Sequence, residues 1–234
     1  GSGKTVIAAF AAIRAAENGA QTVIMAPTEI LAEQHYETFF SWFAPIGITV
    51  CLITSGMNTA ERKERLKLLS TGEAQVIVGT HAVFQTGVSF QHVGLTIVDE
   101  QHRFGVHQRM QLRDKGCAPH QLVMTATPIP RTLTMVLYAD MDISVIDQLP
   151  PGRKKIKTTI HGDTQRESLI QKIFRDLIEN STNNQVYWVC PAIQDSETQL
   201  RAAEIVYQEL TSLFSKVPIN LLHGKMKSQE KTAI

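Results

Sequence analysis

Gly3, Lys4 and Thr5 match the last three positions of the phosphate-binding pattern G-x-x-x-x-G-K-[ST]. The chain opens Gly1-Ser2-Gly3-Lys4-Thr5, so the first glycine of the pattern and the strand before it would precede residue 1. Glycines let backbone N–H groups converge on phosphate oxygens, and the helix that follows offers its positive end to the same anion. At this spacing Lys4 would reach the β- and γ-phosphates of a nucleotide, and the Thr5 hydroxyl would sit on Mg²⁺. A second acidic site lies downstream. Leu95–Val98 is an apolar run that ends in Asp99-Glu100. A buried strand of that kind delivers both carboxylates to the carboxyl edge of a sheet, where α/β folds bind ligands. Asp99 is then the Mg²⁺ ligand, and Glu100 the group that orients or deprotonates an attacking water.

The elements that must position these groups are legible as short apolar runs between helical patterns. Strands are expected at Thr22–Ala26, Ile48–Ile53, Gln75–Gly79, Leu95–Val98, Gln121–Met124, Ile143–Ile146, Gln185–Val189 and Ile219–Leu222. Helices are expected at Lys4–Asn18, closed by Gly19, and at Glu29–Phe43, opened by Thr28 as N-cap. A third spans Arg62–Leu69, with Asn58 and Glu61 at capping-box spacing. Thr164–Glu179 and Glu197–Phe214 carry apolar residues at helical period. Strands alternating with helices imply an α/β fold, a parallel sheet with helices on both faces. Within it, Trp42 with Phe39, Phe40 and Phe43 reads as a packed helix face, and Tyr187 and Trp188 read as core.

Asp147–Lys157, DQLPPGRKKIK, breaks this alternation with two prolines, a glycine and a basic cluster of Arg153, Lys154, Lys155 and Lys157. It is expected to link a first domain (1–146) to a second (158–234). Across all 234 residues, 23 Lys+Arg balance 22 Asp+Glu, for a net charge of +1. That balance excludes a strongly basic or acidic tract but not a local basic stripe for nucleic acid. With 43% hydrophobic residues the chain is not a disordered polyelectrolyte, and no apolar run approaches the ~18 residues of a membrane span. Cys51, Cys117 and Cys190 are far apart, which disfavours zinc and disulfides and suits a reducing cytoplasm.

Taken in order, GSGKT, APTEILAEQH (26–35), GTHAVF (79–84), DEQH (99–102) and TATPIP (125–130) resemble motifs I, Ia, Ib, II and III of superfamily 2 helicases. DEQHRFGVHQR (99–109), LYADMDISVIDQLPPGRKKIKT (137–158), YWVCPAIQDSE (187–197) and LLHGKMK (221–227) narrow the resemblance to the RecG family of bacterial ATP-dependent DNA helicases. The resemblance implies a motor of two RecA-like domains that uses ATP and Mg²⁺ to remodel stalled forks and Holliday junctions in DNA repair and recombination. It implies a first RecA-like domain lacking the strand before the phosphate loop, and an incomplete second one. The sheet of the first is then expected to have a gap near its centre, filled in the full protein.

The resemblance also assigns residues. Gly1, Ser2, Gly3, Lys4 and Thr5 would bind ATP, with Lys4, Asp99 and Glu100 catalytic. Gln101, His102, Thr125 and Thr127 would couple the nucleotide site to the track. Pro27, Thr28, Gly56, Gly79, Thr80 and His81 would contact the DNA backbone. Ser55 beside Gly56 reads equally as a plain turn, and Arg103, Arg109 and Arg131 lie near the motifs without a fixed role. His223-Gly224-Lys225 resembles a turn of the second domain. A monomer in the bacterial cytoplasm, associated with the nucleoid and with a single-stranded-DNA-binding protein as partner, is implied on the same ground. Motifs V and VI, with their arginine fingers, do not occur in these residues, so the residues alone are expected to hydrolyse ATP poorly. The alternatives are a transcription-repair coupling translocase, an ATP-binding module without hydrolysis, and an RNA helicase.

Overall fold

Alternate side chains of each early apolar run belong to opposite faces of one sheet, and the computed structural model covers both faces with helices. The structure describes residues 2–85, 87–99, 119–126, 142–148, 150–179, 184–190, 196–214, 217–224, 226, 230–231 and 233–234. The chain divides into two compact units, Gly1–Arg153 and Lys154–Ile234, and the division falls inside the Pro/Gly/Lys segment.

The first unit holds strands β1 (Gln21–Met25), β2 (Val50–Ile53), β3 (Val76–Gly79), β4 (Val93–Asp99) and β5 (His120–Met124). They form one sheet in the order β2-β3-β1-β4-β5, with every pairing parallel. Helix α1 (Lys4–Glu17) leads into β1, α2 (Glu29–Phe43) lies between β1 and β2, and α3 (Thr59–Ser70) lies between β2 and β3. Local chemistry sets the helix ends. The Thr28 hydroxyl accepts from the Leu31 amide at 3.3 Å, and the Asn58 side chain accepts from the Glu61 amide at 2.9 Å. Helix α1 closes at Asn18, followed by Gly19 at φ 69°, where a side chain would be strained.

The two faces follow from period-two alternation. Ile24, Val76, Val78, Leu95 and Ile97 pack with Ala8, Ala9 and Ala12 of α1 and with Ala32, Phe39 and Phe43 of α2. Val23, Met25, Ile53, Ile77 and Val98 pack with Leu69 of α3 and with Ala82 and Val83. Cys51 lies in this second layer, and burial pushes its thiol up to about 11, with Arg65 pulling the other way. The amino edge of the sheet is tied by Gln21, which is buried. Its Nε2 donates to the carbonyls of Leu69 (3.0 Å) and Ala74 (2.8 Å), and its Oε1 accepts from the amides of Gln91 (2.9 Å) and His92 (3.0 Å).

Several expectations are corrected. Among the described residues the sheet has no central gap: β4 pairs directly with β5 from Leu95↔His120 to Asp99↔Met124, and β5 is the last strand on that side. The order of strands is a long-range property that motif order does not encode. Phe39 and Phe43 are buried, but Phe40 and Trp42 are 49% and 42% exposed. Residues four apart share a helix face, and the two others fall outside the buried stripe. Ile143–Ile146 is not a strand, and Val145 is exposed.

The second unit contains helices α4 (Arg166–Glu179) and α5 (Ser196–Leu213). They meet through Phe174 and Phe214, stacked at 4.0 Å, and through Arg166, whose Nη1 and Nη2 donate to the two Glu209 oxygens at 2.7 and 2.8 Å. The runs Gln185–Val189 and Ile219–Leu222 are not strands. Tyr187 and Trp188 are therefore not core: Tyr187 is exposed, and Trp188 lies under the Arg166 guanidinium, 5.7 Å from the ring centre. A strand needs a neighbour for its backbone groups, and among the described residues none pairs with these runs.

Candidate nucleotide site

Parallel topology collects the chemistry at one edge. Helix α1 returns through Asn18–Ala20 into β1, so it runs opposite to the strands and its first turn lies at their carboxyl ends. Gly3 caps α1 at φ 87°, a left-handed conformation suited to glycine, and no side chain caps the helix. The Val6 amide donates to the Gly3 carbonyl at 3.0 Å, which leaves the amides at the very start of the helix to face an anion, as a phosphate site requires. Lys4 and Thr5, both half-buried, occupy that turn.

Asp99 ends β4 at the same edge. It follows Leu95 and Ile97 in alternation, so it faces the α1/α2 side of the sheet. Its Oδ2 lies 2.9 Å from His35 Nε2, and both side chains are largely buried. Among the described residues no other group bonds this carboxylate, which leaves Oδ1 for a cation. A strand-end carboxylate, a helix-start hydroxyl and an uncapped helix N-terminus suit Mg²⁺, which prefers few protein oxygens together with phosphate and water. Glu100, Gln101, His102 and Thr127 lie outside the described residues, as do Gly1, Arg103, Arg109, Arg131 and Lys225. Thr125 is half-buried just past the end of β5.

The proposed track-facing residues also come to this edge, with different exposure. Pro27 is half-buried and Thr28 exposed at the β1–α2 turn. Gly79 is buried at the end of β3, where a Cβ would collide with the Ile53 carbonyl oxygen and a Val83 methyl. Thr80 is buried with no hydrogen-bond partner for its hydroxyl, while His81 is exposed. Ser55 and Gly56 are exposed, yet their amides donate to Glu29 Oε1 at 3.1 and 3.2 Å. This pair of amides therefore already holds an anion, the carboxylate of α2. Neither the His35–Asp99 contact nor the Glu29 contact was anticipated from sequence. The one available signal for His35 was a polar residue in line with Ala32, Phe39 and Phe43.

A five-stranded parallel sheet with an open phosphate-binding helix start beside a strand-end aspartate defines a RecA-like nucleotide-binding domain. Within that class, the chain belongs to the DEAD/DEAH box helicase family, whose model matches residues 1–136. It is 48% identical to the ATP-dependent DNA helicase RecG of Haemophilus influenzae, over 99% of this chain and 34% of that protein. RecG of Escherichia coli is likewise 48% identical, over 100% of this chain and 34% of its own length. A structure of RecG bound to a three-way DNA junction superimposes with a TM-score of 0.75 at 35% identity, covering 99% of this chain and 30% of that one. The chain thus spans about a third of the length of the curated relatives it matches. Among the described residues no helix is long and apolar enough to cross a membrane.

Proposed function

We propose that these residues are the motor region of an ATP-dependent DNA helicase that remodels branched DNA, forks and Holliday junctions, in repair and recombination. The observation that carries the reading is the meeting at one sheet edge of the open α1 N-terminus, with Lys4 and Thr5, and the Asp99 carboxylate. Similarity to RecG across the whole chain supports branched DNA as the track. In this reading 1–146 is the first RecA-like domain, 147–157 the linker and 158–234 part of the second.

Gly1–Thr5 cradle the ATP phosphates, and Lys4 offsets charge on the β- and γ-phosphates. Thr5 and Asp99 hold Mg²⁺, which when bound neutralises charge that develops on the transferred phosphoryl group. Glu100 orients the attacking water. Gln101, His102, Thr125 and Thr127 connect the site to the DNA-facing turns. Contacts there are to phosphates and carry no sequence information. Thr28 and His81 are exposed enough to make them directly, and Gly56 would make one only once its amide leaves Glu29. Pro27, Gly79 and Thr80 shape the turns that present them. A cytoplasmic, nucleoid-associated monomer that works with a single-stranded-DNA-binding protein completes the reading.

The test is steady-state ATP hydrolysis by the intact protein with forked DNA, linear duplex or RNA. Forked DNA is expected to stimulate most, and Lys4→Ala to abolish turnover. Equal stimulation by RNA, or none by any nucleic acid, refutes the reading.

A further inference from the structure

Helix α2 carries one imidazole in an otherwise apolar stripe. Ala32, Phe39 and Phe43 are buried against the sheet at helical spacing, and His35 lies on the same line, its ring 6.1 Å from that of Phe39. A polar edge buried among such neighbours is costly unless it is bonded. The bond found is 2.9 Å from Nε2 to Asp99 Oδ2, with the side chains only 13% and 16% exposed. It joins residues 64 apart in sequence and from different elements, so it is a tertiary contact rather than a local cap.

An aspartate side chain turns about two bonds, and a carboxylate bonded through one oxygen keeps the other aimed. Groups that hold a metal ligand in this way typically change metal affinity by about 10- to 100-fold when lost. The same helix begins at Thr28, about two turns before His35, or roughly 10 Å along the axis. One rigid helix therefore runs from the exposed turn at Pro27–Thr28 to the carboxylate at the nucleotide edge.

We propose that His35 is a positioning residue: it donates from Nε2 to Asp99, aims that carboxylate at Mg²⁺, and makes the metal site respond to whatever moves the start of α2. The inference rests on the reading of Asp99 as the Mg²⁺ ligand. It does not depend on the charge of the imidazole, because the neutral ring protonated at Nε2 and the cation both donate there.

The test uses the intact protein and a non-hydrolysable fluorescent ATP analogue, titrated with Mg²⁺ with and without forked DNA. His35→Leu fills the apolar stripe but cannot donate. His35→Gln places an amide nitrogen near the Nε2 position. Asp99→Asn serves as the control for the underlying reading. His35→Leu is expected to raise the Mg²⁺ midpoint about tenfold or more. Nucleotide affinity in EDTA should stay unchanged, and the effect of forked DNA on the midpoint should disappear. His35→Gln should return the midpoint most of the way to wild type, which a purely structural role would not. If Asp99→Asn removes the Mg²⁺ response while His35→Leu titrates like wild type, the positioning role is overturned. If Asp99→Asn leaves the Mg²⁺ response intact, the assignment of Asp99 fails, and the role of His35 with it. If His35→Leu does not fold, His35→Ala takes its place: a raised Mg²⁺ midpoint that His35→Gln does not share supports the role, and a wild-type midpoint overturns it.

Discussion

Replacing Gln21 should loosen the whole amino edge of the first sheet. Its amide makes four hydrogen bonds, two to carbonyls and two from backbone amides, at 2.8 to 3.0 Å. Leucine has a similar volume and satisfies none of them. At about 1 kcal/mol net per bond, Gln21→Leu is expected to cost about 4 kcal/mol. That is a drop of roughly 8–16 °C in the transition of the first unit, at about 2–4 °C per kcal/mol for a domain of this size. Gln21→Glu keeps the shape but points a carboxylate at the carbonyls of Leu69 and Ala74 inside a buried pocket. Burial and the two carbonyl dipoles outweigh the two amides that donate to the other oxygen and raise its folded pKa above the ordinary ~4.3 of glutamic acid. The folded state then binds the proton more tightly, so this variant is most stable below about pH 4.3 and loses stability as pH rises through the folded pKa. Urea denaturation from pH 4 to 8, with hydrogen exchange at the Gln91 and His92 amides, reads both effects. A Gln21→Leu protein within about 1 kcal/mol of wild type, or a Gln21→Glu protein whose deficit does not grow with pH, would refute the reasoning.

Other outcomes follow from the same packing. Gly79→Ala forces a Cβ against the Ile53 carbonyl, a backbone atom that no rotamer change can move; a loss of about 3 kcal/mol in urea melts is expected. Cys51, with its thiol raised from 9.0 to about 11, should react with a disulfide reagent at pH 8 about a hundredfold more slowly than an ordinary thiol. Since the folded state favours the neutral thiol, stability from this group is present below pH 9 and is lost as pH rises toward about 11; alkaline thermal melts of wild type and Cys51→Ala check it. Asn58→Ala removes the bond to the Glu61 amide and should cost about 1 kcal/mol, with faster exchange confined to the first turn of α3.

How much was legible depended on how local the determinant was. Helix α2 was read at its observed limits because Thr28 and the apolar spacing lie within the helix itself. Asn58 and Glu61 likewise announced the start of α3. The five strands of the first sheet were found to within two residues at each end, since buried parallel strands are nearly continuous apolar runs. The same rule failed at Gln185–Val189 and Ile219–Leu222, because an apolar run becomes a strand only where a neighbour accepts its backbone. The placement of Lys4, Thr5 and Asp99 at one sheet edge was legible because a helix start and a strand end are local features. The His35–Asp99 pair was not, because it is a contact between α2 and β4 that sequence spacing does not show. Gly79 was read as touching a ligand, and its observed surroundings require a residue without a side chain for a different reason, the close passage of β2.

A parallel sheet whose proposed ligand groups, among the described residues, lie at one end leaves the other end for handles. The Asn18–Gly19 turn opens onto that far end, and nothing lies within 4 Å of where a Cβ at Gly19 would stand. Gly19 itself must stay glycine for its φ of 69°, but the exposed Asn18 beside it can carry a dye or a surface anchor. A first unit immobilised there points its proposed nucleotide edge away from the attachment. Its movements could then be followed one molecule at a time, without the attachment competing for the groups being watched.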